Sequence, residues 1–386
     1  MKRIYLDNSA TTPVDKRVLE AMKPFFSEMY GNASSLHKFG QEAKKNMEES
    51  REKIAEIINA KREEIVFTSG GTESDNLAIE GICFANKEKN HIITSNIEHH
   101  AVLHTCRWME KQGFEVTYLP VDKYGLINPA TLESEIKDNT GLVSIMFANN
   151  EIGTIEPIVE IGKICREKGV CFHTDAVQAF GKIPIDVNKY NIDLLSMSAH
   201  KVYGPKGVGA LFVRNDINIE PIIHGGGHEN EIRSGTENIA GIVGFGKAAE
   251  IAKKEMKKEA AREIKLRDKL IKGVLKIENS HLNGHPVKRL PNNTNFWFEF
   301  IEGESLVVWL DSKGIAASTG SACSSKSLEP SHVLLAIRLK HEQAHGSLRM
   351  TLGKENTKKD INYVLEVLPE IIEKLRKISP YKGKWK

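Results

Sequence analysis

A lysine at the end of an apolar segment is the first residue of the sequence that could do chemistry. Lys201 follows the run Leu194–Ser198 and precedes Gly204 and Pro205. Most lysines at strand ends lie in solvent, but a lysine in a partly buried site can lose its proton and form a Schiff base. Lys201 is therefore a candidate for the lysine that enzymes dependent on pyridoxal 5'-phosphate (PLP) require.

An aspartate at the end of another apolar segment could serve the same chemistry. Asp175 ends the run Val170–Asp175, which precedes the run that leads to Lys201. Ligands of open α/β sheets bind beyond the carboxyl ends of the strands, where this carboxylate could pair with a protonated pyridine nitrogen. The alternative for Asp175 is a cap at the start of a following helix. Its position on a strand end next to that of Lys201 favours a shared site.

Two further segments contain groups that suit a phosphorylated ring. Thr68–Glu73 runs from a predicted strand through two glycines into a helix, and free N–H groups at a helix start bind phosphate. An ordinary strand-to-helix turn is the alternative. A histidine that follows the strand His91–Ser95 could stack on the ring and move protons. Spacing does not decide between His99 and His100.

A cysteine and an arginine in the last quarter of the chain could act on a substrate. Cys323 lies among glycine and serine residues, which predicts a loop with an accessible thiol that could act as nucleophile or sulfur carrier. Arg349 could bind a carboxylate through two parallel hydrogen bonds, with a surface ion pair as the alternative. The remaining cysteines stand in apolar contexts that predict buried, inert thiols: Cys83, Cys106, Cys165 and Cys171.

The elements that must position these residues follow an alternating pattern. Apolar runs without clean alternation predict strands buried on both faces at Ile65–Ser69, His91–Ser95, Leu142–Ala148, Val170–Asp175, Leu194–Ser198 and Val208–Arg214. Amphipathic segments between them, such as Glu160–Gly169, predict crossover helices. The pattern predicts an α/β fold with a mainly parallel sheet.

The pattern changes in the last third of the chain. A long charged helix is predicted over Ile239–Lys276, and after it come further elements at Asn293–Phe300, Leu348–Leu352 and Ile361–Leu375. We expect a smaller α+β domain there. The predicted division is a large domain over residues 15–260 and a small domain made of residues 1–14 and 261–386, which carries Cys323.

Composition excludes several classes of protein. The 386 residues have a formal net charge of +3, and no basic run has interleaved aromatics, so we expect no nucleic-acid partner. No stretch approaches the roughly 20 apolar residues of a membrane span, and no signal peptide is visible, so a cytoplasmic location is expected. Five cysteines without a CxxC pair predict neither a disulfide framework nor a resident metal.

Taken in order, the motifs resemble those of one enzyme family over nearly the whole chain. They resemble the class I cysteine desulfurases, of the nitrogenase-associated and iron–sulfur-cluster-assembly type, within the fold-type I PLP enzymes. The segments that carry this resemblance are YLDNSATTP, TSGGTESDN, EHHAV, NNEIG, HTDAVQ, SAHKVYGPKG, HGGGHE, RSGTEN, GSACSS, EPSHVL and LRMTLG. The C-terminal SPYKGKWK differs from the longer acidic and aromatic tail of bacterial housekeeping members, which affects how a scaffold protein would dock.

The resemblance implies a role for each matching residue around the ring of PLP. Lys201 resembles the Schiff-base lysine and Asp175 the partner of the pyridine nitrogen. Gln178 is similar to the donor to the phenolate oxygen, and His99 to the ring-stacking acid–base residue. Cys323 resembles the cysteine that carries the persulfide, and the resemblance implies at most a transient role for Cys323 as a ligand of an iron–sulfur cluster.

The resemblance also implies contacts with the phosphate and the substrate. Thr236 would reach the phosphate from the neighbouring subunit of a homodimer. Asn150 and Arg349 resemble the groups that hold the substrate carboxylate, and Asn150 is also expected to contact PLP. The phosphate ligands within one subunit would be Gly71, Thr72, Ser198 and His200.

The implied activity is conversion of L-cysteine to L-alanine, with transfer of the sulfur to Cys323 and then to an iron–sulfur scaffold protein or another acceptor. Alternatives are a selenocysteine lyase, a general PLP transaminase and a non-catalytic protein that docks sulfur acceptors. A transaminase has no use for Cys323, whereas sulfur transfer requires it. The presence of Lys201, Asp175 and His99 together disfavours a non-catalytic protein.

Overall fold

The computed structural model describes residues 3–320 and 330–379 of the 386-residue chain. Cys323 lies outside the described residues, and the other predicted site residues lie within them. The architecture is the α/β fold with a mainly parallel sheet that the sequence predicts.

The strands of the described residues form three sheets. In chain order they are β1 (Ile4–Tyr5), β2 (Ile65–Thr68), β3 (His91–Ser95), β4 (Glu115–Leu119), β5 (Thr140–Ser144), β6 (Cys171–Asp175), β7 (Leu194–Ser198), β8 (Gly209–Val213), β9 (Ser280–Leu282), β10 (Asn293–Phe298), β11 (Ile315–Ala316) and β12 (Ser347–Thr351). The central sheet has the order β2-β8-β7-β6-β5-β3-β4. Strands β7, β6, β5, β3 and β4 run parallel, and β8 is antiparallel to both of its neighbours.

All six apolar runs predicted as strands contribute to this central sheet. Their side chains are buried because helices cover both faces of the sheet, as parallel strands require. The run predicted as Leu142–Ala148 is shorter as a strand and occupies Thr140–Ser144. The edge strand Glu115–Leu119 is not among the predicted strands, because Glu115 and Thr117 interrupt its apolar residues and most of its side chains are only partly buried.

Helices connect the strands. They are α1 (Lys16–Met22), α2 (Pro24–Ser27), α3 (Lys38–Ile57), α4 (Gly71–Ala85), α5 (His100–Lys111), α6 (Pro129–Glu135), α7 (Ile158–Lys168), α8 (Ile239–Val274), α9 (Gly303–Ser312), α10 (His332–Ala336), α11 (His341–His345) and α12 (Lys358–Ile378). Helix α7, predicted from its amphipathic pattern, ends at Gly169, whose left-handed φ of 65° suits glycine.

The long helix α8 contacts two separate hydrophobic cores. Phe245 and Ala248 near its start pack in the core of the central sheet, whereas Leu266 and Leu270 pack in a second core. The second core includes the antiparallel sheet β12-β10-β9, the pair β1-β11 and helix α12. The domain boundary predicted at residue 260 falls inside α8, and the division into domains stays a prediction.

Within residues 3–320 and 330–379, no helix is both long enough and apolar enough to cross a membrane.

Candidate active site

A cavity of about 290 Å³ lies beyond the carboxyl ends of the central strands. Residues from the N-terminal segment, from α4 and from β12 complete its wall. The predicted residues that line it are Gly71, Thr72, His99, Asn150, Asp175, Gln178, Ser198, His200, Lys201 and Arg349. The topology brings most of these residues together because they follow strands of the central sheet that end at the same edge, whereas Arg349 comes from β12 of a separate sheet.

Lys201 enters the cavity from a single 3-10 turn, Ala199–Lys201, that directly follows β7. Its Nζ donates to the backbone oxygens of Ser9 at 2.6 Å and Ala10 at 2.8 Å. The N-terminal segment is fixed there because Thr12 N–H and the Thr12 hydroxyl both donate to the His200 oxygen. The amine is therefore held at the wall of the cavity by backbone acceptors that carry no formal charge.

Asp175 is the last residue of β6, and only 7% of it is exposed. Its Oδ1 accepts a hydrogen bond from Val177 N–H at 2.9 Å. No α-helix follows it, because Ala176–Gly181 forms turns, so the alternative role as a helix cap does not apply. Burial raises the pKa of Asp175 to about 6, while the Val177 hydrogen bond and Lys201 act in the opposite direction. At neutral pH the cavity thus contains a buried carboxylate that a cationic ring nitrogen would stabilise.

Two more buried acids surround Asp175, and sequence reasoning missed both. Asp75 of α4 lines the cavity, and its buried Oδ1 has no hydrogen-bond partner in the structure. Burial and the charge of Asp175 raise the pKa of Asp75 well above its usual range. Burial also raises the pKa of Glu98 to about 8. Glu98 is therefore mainly protonated at neutral pH, and the raised pKa of Asp75 favours Asp175 as the carboxyl of this group that ionises first.

The structure distinguishes the two histidines that the sequence left open. His99 lines the cavity and caps α5, where its Nδ1 accepts from Ala101 N–H at 3.1 Å. Burial and nearby Lys201 lower the pKa of His99 to about 4, so the ring is neutral with its proton on Nε2. His100 does not line the cavity, and the centre of its ring lies 4.8 Å from the centre of the His332 ring.

One end of the cavity suits an anionic group. Helix α4 begins at Gly71, and the N–H groups of its first turn have no acceptor within the helix. A Cβ at Gly71 would lie 2.7 Å from Val177 Cγ2, so only glycine permits this close approach. Thr72, Ser198 and His200 border the same cavity. Thr236 is exposed and does not line the cavity of its own chain.

Arg349 lies at another part of the wall, on the buried strand β12, and is 2% exposed. Its Nη1 donates to the Asn150 backbone oxygen at 3.1 Å, and its Nη2 donates to Asp7 Oδ1 at 3.0 Å. Its buried Nε has no partner in the structure. A guanidinium with an unused donor beside a cavity can bind a carboxylate.

The groups around the cavity fit PLP. The ionised Asp175 suits a protonated pyridine nitrogen, Lys201 provides an amine, and the first turn of α4 provides N–H donors for a phosphate. Gln178 lines the same cavity, and its Nε2 donates to Ser9 O at 3.0 Å.

The four described cysteines are poor sulfur nucleophiles. Burial raises the pKa of both Cys83 and Cys165 to about 12. Burial also raises the pKa values of Cys106 and Cys171 above the ordinary range of a thiol. These thiols remain protonated at neutral pH, and a thiolate is the reactive form.

Comparison with known proteins agrees with this geometry. The family model described as aminotransferase class-V matches residues 4–364. A curated relative from Methanosarcina thermophila, named cysteine desulfurase IscS, is 60% identical over 380 residues, which are 98% of this chain and 94% of the relative.

Solved structures share the fold over most of their length. A structure titled NifS-like protein has a TM-score of 0.91 and 42% identity, and covers 97% of this chain and 100% of its own. A structure titled SspA in complex with cysteine has a TM-score of 0.80 and 39% identity, and covers 91% of this chain and 99% of its own.

Proposed function

The chain belongs to the aminotransferase class-V family, and we propose that it is a PLP-dependent cysteine desulfurase that converts L-cysteine to L-alanine. The observation that carries the proposal is the placement of Lys201, Asp175 and Arg349 around one cavity. The names of full-length relatives and the structure of a related protein with cysteine support the choice of substrate.

Bound PLP would supply an electron sink that stabilises negative charge on the substrate carbon next to the amine. Lys201 would hold it covalently and Asp175 would pair with its ring nitrogen. Gln178 and His99 would contact the ring. The phosphate would be held by Gly71, Thr72, Ser198 and His200.

The remaining roles concern the substrate. Arg349 and Asn150 would hold its carboxylate, which fixes the orientation of the reacting bonds. The Lys201 amine would take the proton from the α-carbon, and the neutral His99 would exchange the proton on its Nε2 with the substrate. These roles follow the sequence resemblance and are supported by the shared cavity.

Cys323 would receive the sulfur. As a thiolate it would attack the substrate sulfur, so that a sulfur–sulfur bond forms while the bond between sulfur and β-carbon breaks. The electron pair of the broken bond stays with the carbon skeleton, which takes up a proton and leaves as alanine. The persulfide would then pass to an iron–sulfur scaffold protein or another sulfur acceptor. The cytoplasmic location expected from the sequence stays a prediction.

Purified protein tests the proposal directly. Incubated with PLP, it should be yellow, and with L-cysteine it should release L-alanine and acquire one persulfide. Transamination without sulfur transfer would favour the transaminase alternative. Activity confined to selenocysteine would favour the lyase. A colourless, inactive protein would favour the docking alternative.

Asp175→Asn is expected to fold and yet lose alanine formation by at least about a hundredfold, because the neutral amide cannot stabilise a protonated ring nitrogen. The amide oxygen can still accept from Val177 N–H, so the turn that Asp175 forms is retained. Initial rates of alanine release, with PLP content measured by absorbance, check this expectation. Near-normal turnover would leave Asp175 with a structural role only.

Arg349→Lys is expected to raise the KM for cysteine by about 10- to 100-fold, because one charge-assisted hydrogen bond to the carboxylate is lost. The lysine keeps the positive charge near Asp7, which limits the effect on the fold. Steady-state kinetics measure KM and kcat separately. An unchanged KM would contradict the carboxylate assignment.

We also propose that two chains form a homodimer with two composite sites. Thr236 is exposed in the single chain, which leaves it available to a second chain, and two-fold dimers are the commonest symmetric oligomers. Sedimentation of the active protein should show a dimer. A fully active monomer would refute the composite site.

A further inference from the structure

A second, smaller cavity of about 40 Å³ also has Lys201 in its wall. It lies against helix α8, which contributes Glu259 and Glu263. Lys182 lines this cavity but not the larger one.

Lys182 is joined to the larger cavity through Gln178. Its Nζ donates to the Gln178 backbone oxygen at 3.0 Å and to the Gln178 side-chain Oε1 at 3.4 Å. Burial and the charge of Lys201 lower the pKa of Lys182 to about 7, whereas Glu263 acts to raise it. The carboxyl of Glu263 is itself buried, which raises its pKa to about 7.

The hydrogen bonds continue from Gln178 to Lys201. Gln178 Nε2 donates to Ser9 O at 3.0 Å, and Lys201 Nζ donates to the same oxygen at 2.6 Å. When Lys182 is protonated it can only donate, so its contact fixes Oε1 as the acceptor end of the Gln178 amide and the NH₂ group as the donor end. A cation on the carbonyl oxygen also polarises the amide and makes its N–H groups stronger donors.

We propose that Lys182 is a positioning residue of the cofactor site. It holds the Gln178 amide with its donors facing Ser9 and the larger cavity, and it places a second positive charge near Lys201. This inference rests on the proposed function, in which Gln178 donates to the phenolate oxygen of PLP. Both effects favour the unprotonated form of the Lys201 nitrogen when PLP is attached. The positive charge of Lys182 repels the proton, and the Gln178 amide stabilises the phenolate oxygen by donating to it.

The visible absorbance of the PLP-loaded protein, recorded against pH without cysteine, tests the proposal. Lys182→Met should raise the pH midpoint of the spectral change by about one unit. Lys182→Arg should not raise the midpoint, because the guanidinium keeps its charge and its donors at every pH of the titration and the adjoining cavity gives it room. Lys354→Met is a matched control, since Lys354 lines the same cavity but pairs with Glu255 at 2.7 Å.

Two results would overturn the inference. One is a Lys182→Met protein that binds PLP fully and has the same pH midpoint as the parent. The other is an equal upward shift of the midpoint in Lys182→Met and Lys182→Arg. If Lys182→Met does not fold, Lys182→Gln removes the charge with a polar side chain and should give the same upward shift. A parent protein without any PLP absorbance would refute the proposed function itself. An unchanged midpoint in Lys182→Met would refute only the role of Lys182, so the two failures can be distinguished.

Discussion

Lys201→Ala should reduce alanine formation from L-cysteine by at least about a thousandfold, since a positioned proton-transfer group contributes roughly 10²- to 10⁴-fold to a rate. Of the described lysines, only Lys201 lines the larger cavity. Its Nζ is held at the cavity wall by Ser9 O and Ala10 O, and alanine has no amine to take that place. The variant should also fail to form a borohydride-reducible link between PLP and the chain.

Lys206→Ala is the matched control, because Lys206 lies in the same glycine-rich segment and is exposed. It should retain the parent rate and the reducible link. Peptide mapping of the reduced parent protein should place the cofactor on Lys201. Its recovery on Lys182, which lines only the smaller cavity, would show that the assignment is wrong.

The location of Lys201 and Asp175 in one site could be predicted from the sequence, because it depends only on two neighbouring parallel strands that end at the same edge of the sheet. Asp175 ends one mainly apolar run, and Lys201 follows the next. The strands β6 and β7 that these runs form pair directly, with Asp175 opposite Ser196. The carboxyl ends of such strands meet at one edge of a sheet, so two polar residues placed there converge without further information.

The surroundings of this pair could not be predicted in the same way. The acceptors for Lys201 are backbone oxygens of Ser9 and Ala10, about 190 residues earlier in the chain, and backbone groups leave no pattern in a sequence. Asp75 and Glu98 look like ordinary helix or loop acids in the sequence. Their raised pKa values come from burial that only the packed structure shows.

Lys182 shows the same limit. A lysine that directly follows a glycine looks like a solvent-exposed residue in the sequence, and the contact of Lys182 with Gln178 depends on the turns that the structure shows at Ala176–Gly181. The division into domains also depends on packing, because the sequence predicts α8 as one long charged helix, and only the structure shows which of its residues contact each core.

The largest effect on sulfur transfer is expected for Cys323→Ser. Cys323 lies outside the described residues, so its assignment depends on the sequence and on the other thiols. Burial keeps the four described cysteines protonated at neutral pH, with the pKa of Cys83 and Cys165 raised to about 12. Only thiolates attack sulfur at useful rates, which disfavours these four residues as sulfur carriers.

Cys323→Ser should separate binding from sulfur transfer. L-Cysteine should still perturb the visible PLP spectrum, because Lys201, Asp175 and Arg349 are unchanged, but no persulfide should form. Cys171→Ser is the matched control, because Cys171 is the one described cysteine that is not fully buried, and it should retain persulfide formation. Mass spectrometry after a pulse of cysteine without reductant should place one added sulfur on the peptide that contains Cys323. That sulfur should then move to an added iron–sulfur scaffold protein, and its recovery on any of the four described cysteines would refute the proposed route.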